Sequence, residues 1–182
     1  MLLIAALGNP GPQYARQRHN VGFMVADEWR RRHGWGPLRK RFHGLVDEGT
    51  VEGERVALIL PQGFMNRSGA AVREAAHYYR VEVAQVLAVH DEVELAFGDV
   101  RLKEAGGLGG HNGLRSLEQY LGSRDFWRVR VGVGKDTRPG QQLADYVLSN
   151  FSEPGEQVGD LIARAADLVD ELLRAGGRPE VG

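Results

Sequence analysis

Few side chains in this chain can move a proton near neutral pH. It has six histidines and no cysteine, which excludes a thiol nucleophile, a disulfide framework and any Cys-containing zinc site. A hydrolase working without a thiol or a metal would need an imidazole, whose ordinary pKa of about 6.5 lets it take up a proton. His19 is the candidate because of its surroundings. The stretch Leu7 to Phe23, LGNPGPQYARQRHNVGF, packs a glycine-proline turn, Asn9, Tyr14 and the His19-Asn20 pair into one short loop. Pro10 fixes φ, and Gly8 and Gly11 accept backbone angles that other residues avoid, so the turn can hold Asn9 and His19 in fixed geometry. For any single histidine a surface or structural role is the commoner one, and His33, His43 and His77 are given no other. His90 and Asp91 alternate at a strand end and should point to opposite sides, so that only one faces a cleft. Asp91 is chosen, because a carboxylate bonded to one ring nitrogen fixes the imidazole tautomer and stabilises the imidazolium.

The elements that must position these residues follow from pattern. Leu2 to Leu7 is short, apolar and uncharged and is stopped by Gly8, which reads as a buried strand. Asn20 can cap a helix whose apolar positions Val21, Met24, Val25 and Trp29 recur at helical spacing. The loop between them joins the carboxyl end of a strand to the amino end of a helix, where open α/β sheets place ligands. Phe42 to Val51 and Arg55 to Pro61 flank a Glu52-Gly53-Glu54 turn and read as a hairpin, so the sheet should be mixed. A loop with Asn66 precedes a helix near residues 70–80, with Ser68 as its cap. Val86 to His90 is a second uncharged strand, and Gly98 to Lys103 another. A glycine-dense loop then carries Asn112 into a helix near 114–121. Arg128 to Val133 alternates, with Arg128 and Arg130 on one face and the valines on the other. A helix near 156–174 closes the chain. The expected fold class is α/β: one domain over residues 1–182, a twisted, mixed, mostly parallel sheet with helices on both faces.

Composition narrows the partners. The 182 residues carry a net charge of −1, yet residues 1–45 hold eight Lys and Arg against two Asp and Glu, and residues 99–138 eight against five. Two basic blocks in an otherwise acidic chain suit a polyanion bound transiently, although solvated faces would give the same count. No apolar run reaches the roughly 18 residues of a membrane helix, and the first residues carry no basic leader. The expectation is a cytoplasmic monomer with no membrane partner.

The loop residues resemble one family. Gly8-Asn9-Pro10-Gly11, Tyr14 and Arg18-His19-Asn20-Val21-Gly22-Phe23 look like the N-terminal signature of bacterial-type peptidyl-tRNA hydrolases. Met65 to Gly69, His90-Asp91, Gly109 to Leu114 and Val129 to Gly134 match further motifs in the same order. Departures fall at Gln17, Gly63-Phe64, Val93 to Ala96 and Lys135-Asp136. The resemblance implies hydrolysis of the ester between a peptide and the terminal ribose of tRNA, with peptidyl-tRNA as the partner. It implies His19 as general base and Asp91 as its orienting partner, with no metal and no cofactor. Asn9, Asn66 and Asn112 would bind the peptide, with Tyr14 near the ester and Phe64 at the edge of the groove. Capping competes with this role at Asn112, and only the resemblance places function ahead of it.

The residues add their own constraints. An amide donates and accepts without charge, so three asparagines from three loops can hold a peptide backbone or an oxyanion. No serine stands in a G-x-S-x-G elbow, which favours direct attack by water. The 106–113 loop does not fit G-x-G-x-x-G, so a nucleotide cofactor is not expected. Arg101, Lys103, Arg115 and Arg130 are the candidates for tRNA phosphate, with Lys135 and Arg138 behind them. Arg130 could instead pair with a carboxylate at the sheet edge. Two other readings stay open at this level: an RNA-binding module of the same fold without turnover, and an α/β peptidase or nucleosidase.

Overall fold

The computed structural model describes residues 1–136 and 138–177. Its first strand, β1 (Leu2–Ala6), is buried along its whole length, as an uncharged run must be when the sheet is covered on both sides. Alternation divides its side chains between two cores. Leu2, Ile4 and Ala6 pack with α1 (Val21–Arg32) and the long α5 (Gly155–Arg174), whereas Leu3, Ala5 and Leu7 pack with α2 (Ser68–Tyr79) and α3 (Asn112–Leu121). The remaining elements are β2 (Arg39–Arg41), β3 (Gly44–Val51), β4 (Glu54–Pro61), β5 (Val86–Glu92), β6 (Val100–Glu104), β7 (Trp127–Gly132) and α4 (Leu143–Val147).

The strands form one seven-stranded sheet in the order β2-β3-β4-β1-β5-β7-β6. The four central strands are mutually parallel, and β2, β3 and β6 extend the sheet through antiparallel pairings. The expected hairpin is β3–β4. Glu52 and Gly53 both take left-handed angles (φ 53° and 77°), the backbone a two-residue hairpin turn demands. After β1 the chain builds one half of the sheet, and from β5 onward it builds the other. The carboxyl ends of β1 and β5 therefore flank the point where the winding reverses, the place where such sheets open a crevice.

Two glycines let helices approach closely enough to fix that crevice. A methyl group at Gly22 would stand 2.5 Å from both the Leu7 and the Val89 carbonyl oxygens, so α1 begins directly on the ends of β1 and β5. One at Gly69 would stand 2.0 Å from the Ser116 carbonyl oxygen, so α2 and α3 meet backbone to backbone.

Three local expectations are corrected. Asn20 does not cap α1 with its side chain; both ends of its amide are taken by Asn9, as described below. Ser68 is the first residue of α2 rather than its cap, and its hydroxyl donates back to the Met65 carbonyl. Arg39 to Arg41, read as part of a charged block, form β2 at the sheet edge. Among the described residues no helix is long and apolar enough to cross a membrane.

Candidate active site

At the carboxyl end of β5, Asp91 is buried to 4% exposure. Each of its carboxylate oxygens meets a different imidazole. Oδ2 lies 2.8 Å from His19 Nδ1, and Oδ1 lies 2.7 Å from His111 Nε2. His19 comes from the 3₁₀ turn that runs into α1, so the close seat allowed by Gly22 sets its height above the sheet. His111 caps α3: its Nδ1 accepts from the Gly113 and Leu114 amides at 3.0 and 3.2 Å. That nitrogen is therefore an unprotonated acceptor, and Nε2 carries the hydrogen given to Asp91. With Nδ1 of His19 donating to the carboxylate in the same way, its Nε2 is the nitrogen left to accept a proton.

Burial by itself would raise the Asp91 pKa. The polar N–H groups that His111 and then His19 turn toward it, through their field and the two hydrogen bonds, outweigh it and hold the carboxyl well below the ordinary carboxylate range. The aspartate is thus an anion at any pH at which the protein works. His19, Asp91 and His111 also bring potential metal-ligating atoms within 4.8 Å of one another. The atoms facing the carboxylate are already joined in hydrogen bonds, so an ion there would have to break both.

Asn9 is fixed from three directions. Its backbone N–H donates to Asn20 Oδ1 and its carbonyl accepts from Asn20 Nδ2, both at 2.9 Å, while its own Oδ1 accepts from the Met65 amide at 2.7 Å. The amide Nδ2 is left as a donor with no partner among the described residues. These contacts explain why Asn20 is not a cap: it clamps the turn that carries Asn9.

A cleft of about 500 Å³ joins these groups. Asn9, His19, Phe64, Asn66, Asp91, Asn112 and Arg115 all line it. Tyr14 does not, but its ring meets that of Phe64 edge to face with centroids 6.0 Å apart. Phe64 is half exposed and sits at φ 66°, an uncommon angle for a bulky side chain, which holds the ring at the mouth of the cleft. Asn112 is exposed, and its Oδ1 accepts from Arg115 Nη2; it is the first residue of α3 and not its cap. The far wall is α4, which offers Leu143, Val147 and Leu148. Arg18, buried beside His19, ties that wall to the loop carrying His19 by donating to the Tyr146 carbonyl and to Ser149 Oγ while its guanidinium stacks on the Tyr146 ring.

A model of the family described as peptidyl-tRNA hydrolase matches residues 3–181. The chain belongs to the peptidyl-tRNA hydrolase family. It is 49% identical to a peptidyl-tRNA hydrolase of Rhodospirillum centenum over 182 residues, covering 99% of this chain and 78% of that one. With the Geobacter metallireducens enzyme of the same name it shares 47% over 96% of this chain and 89% of the other. The crystal structure of peptidyl-tRNA hydrolase from Acinetobacter baumannii superposes with a TM-score of 0.83 at 36% identity, over 97% of this chain and 89% of that one.

Within this family member, two expectations about the site change. His90 and Asp91 do not divide between cleft and core, since both line the cleft. His90 Nδ1 donates to the Asp91 carbonyl at 2.8 Å, and its ring packs edge-on against His111. Burial and then the neighbouring His111 ring push its pKa down to about 4, against the support of that carbonyl, so it is a neutral ring in the wall. His111 is the residue that sequence reasoning passed over. Its signal lies in the Gly109 to Leu114 motif, where the histidine directly precedes Asn112.

The four cation candidates divide. Arg115 is in the cleft. Arg101, Lys103 and Arg130 lie on β6 and β7 and do not line it, with Arg101 opposite Arg130 and Lys103 opposite the buried Arg128. Arg130 donates to Glu92 at 3.0 Å, the edge pairing that was weighed for it, and Arg101 pairs with Asp99 at 3.2 Å. Lys103 has no carboxylate within ion-pair distance among the described residues. Lys135 and Arg138 are exposed and paired with Glu94 and Asp136.

Proposed function

We propose that this chain hydrolyses the ester linking a peptide to the terminal ribose of tRNA, which frees tRNA held by stalled or aborted translation. The observation carrying the reading is the His19–Asp91 pair, with His19 Nε2 unbonded among the described residues and the Asn9 amide, whose donor is also free there, lining the same cleft. Water attacks the ester carbonyl as Nε2 takes its proton. Asp91 stabilises the imidazolium that forms, and His111 keeps the second carboxylate oxygen satisfied so that the anion cannot rotate away. The Asn9 amide donates to the oxyanion. Collapse of the tetrahedral species expels the ribose oxygen, which recovers the proton from His19. An alkoxide leaving group is better than an amine, which suits a site with one base.

Asn66 and Asn112 hold the peptide backbone, and the Tyr14–Phe64 pair forms the apolar lip beside the ester. An unblocked aminoacyl ester would bury an ammonium where a peptide N–H is expected, which selects against ordinary aminoacyl-tRNA. Lys103 and Arg130, with Arg101 and Arg115, take backbone phosphate and set salt dependence rather than sequence choice.

The test is release of labelled N-acetyl-aminoacyl groups from tRNA by wild type and His19→Ala, in EDTA, with unblocked aminoacyl-tRNA as control. Turnover by wild type alone, confined to the blocked substrate, supports enzyme and base together. No turnover by either protein would replace this reading with an RNA-binding module.

A further inference from the structure

Asn9 lines two cavities. Besides the catalytic cleft, it stands at the end of a second one of about 450 Å³, bounded by the Pro10-Gly11 turn, α1 and the adjoining ends of β3 and β4. The walls of this second cavity are apolar: Phe23 and Met24 from α1, Leu38, Leu45 and Leu60. Its two charged residues are spent on each other and on the backbone. Arg30 donates to Asp27 at 3.1 Å and to the Gly36 carbonyl at 2.8 Å. Gln62 at the rim donates from Nε2 to the Leu60 and Pro61 carbonyls, which leaves its Oε1 as an acceptor without a partner among the described residues.

We infer that this second cavity receives the part of the peptide upstream of the ester, as an extended chain with apolar side chains against Met24 and Leu38 and a backbone N–H given to Gln62 Oε1. The inference rests on the function proposed above and adds where the remainder of the substrate goes. Three observations carry it. The cavity shares Asn9, the residue placed next to the ester, with the catalytic cleft. It lies toward the β2–β3–β4 side of the sheet, whereas Arg101, Lys103 and Arg130 occupy the β6–β7 edge, so tRNA and peptide leave the ester in opposite directions. It also offers no unpaired cation to attract phosphate, but does offer apolar area and one oriented acceptor, which a peptide of varied sequence can use. The Tyr14–Phe64 ring contact also spans from one lining to the other. Phe64 lines the catalytic cleft, and Tyr14 sits between Gly11 and Ala15, both of which line the second cavity.

The experiment compares kcat/KM for N-acetyl-leucyl-tRNA and for an acetylated apolar pentapeptidyl-tRNA ending in the same residue. It uses wild type, Met24→Glu, Leu38→Glu and the conservative Met24→Gln, each with its melting temperature measured. Wild type should favour the longer substrate by about 5- to 20-fold, mostly through KM, because one or two apolar side chains become buried at some ordering cost. The acidic variants should erase most of that preference and leave the short substrate within about twofold of wild type. Met24→Gln, which keeps the length of the side chain, should show a smaller loss confined to the longer substrate. Equal kcat/KM for both lengths in wild type overturns the inference. So does a loss at both lengths alike in Met24→Gln. Failure of wild type to cleave even the short substrate would instead overturn the function on which the inference rests.

Discussion

The chain buries two charged residues on adjacent strands and resolves them in opposite ways. Asp91 on β5 and Arg128 on β7 are exposed by only 4% and 1%. Asp91 is given a donor for each oxygen, and its pKa is pushed down, toward the charged form. Arg128 is given two carbonyls, Gly106 at 2.9 Å and Arg124 at 3.0 Å, both on the same nitrogen. Its Nε and Nη1 have no partner among the described residues. Its pKa is pushed down as well, by burial and then by Arg124 and Arg130, which for a guanidinium is away from the charged form. Lys103 lies directly opposite it across the β6–β7 ladder, where like charges are unfavourable. One centre is complete within the protein. The other carries a surplus of positive charge that a phosphate backbone would relieve. Under the function proposed above, the first belongs to a site organised before substrate arrives, and the second lies under a ridge that the tRNA backbone would complete.

The largest effect should come from breaking the complete centre. His19→Ala should lower kcat by about 10²- to 10⁴-fold while tRNA affinity, measured by filter binding, is retained. A parallel loss of affinity would mean that His19 serves binding rather than proton transfer. His111→Ala should cost less, about 10- to 100-fold in kcat, since His19 keeps its partner and one buried carboxylate oxygen loses its donor. A silent His111→Ala would show that Asp91 needs only one imidazole, and the contrast with Arg128 would weaken accordingly.

How much of this contrast could be read beforehand depends on the range of the interactions. Asn9 and Asp91 were legible because each stands where an uncharged apolar run, Leu2 to Leu7 or Val86 to Val89, meets polar residues, and His19 because it closes the loop that leads into α1. The second partner of Asp91 was not. His111 follows it by 20 residues, and β6 intervenes. Locally it is only a helix cap, and it performs that task with one nitrogen while serving Asp91 with the other. Alternation placed Arg128 and Arg130 on one face of β7, but not the carbonyl of Gly106 that covers Arg128, because a glycine-dense loop carries no periodicity. β2 was missed for a related reason: three exposed basic residues form a strand only because β3 offers an edge to pair with. The role of Asn20 was misassigned because an asparagine before a helix looks the same whether it caps the helix or clamps a turn 11 residues away.

The incomplete centre should respond differently. Lys103→Ala should raise KM by about 3- to 10-fold with kcat little changed. It should also reduce the slope of log KM against log salt by something under one phosphate contact. A silent Lys103→Ala at physiological salt would move the tRNA path away from β6 and β7.

The smallest effect tests the comparison most directly. Replacing a buried charge that is fully satisfied removes favourable interactions, whereas replacing one that is not removes mostly a burden. Arg128→Met keeps a long side chain against Phe126, on whose ring the guanidinium now rests at 4.4 Å. It removes the two unpartnered nitrogens and the repulsion from Arg124 and Arg130. Stability in urea should be unchanged or higher by up to about 2 kcal/mol, while KM for the tRNA substrate rises because the ridge loses charge. A clear destabilisation would show that the two carbonyl contacts of Arg128 hold the Gly106 loop in place, and the residue would then belong with Asp91 among charges the fold itself requires.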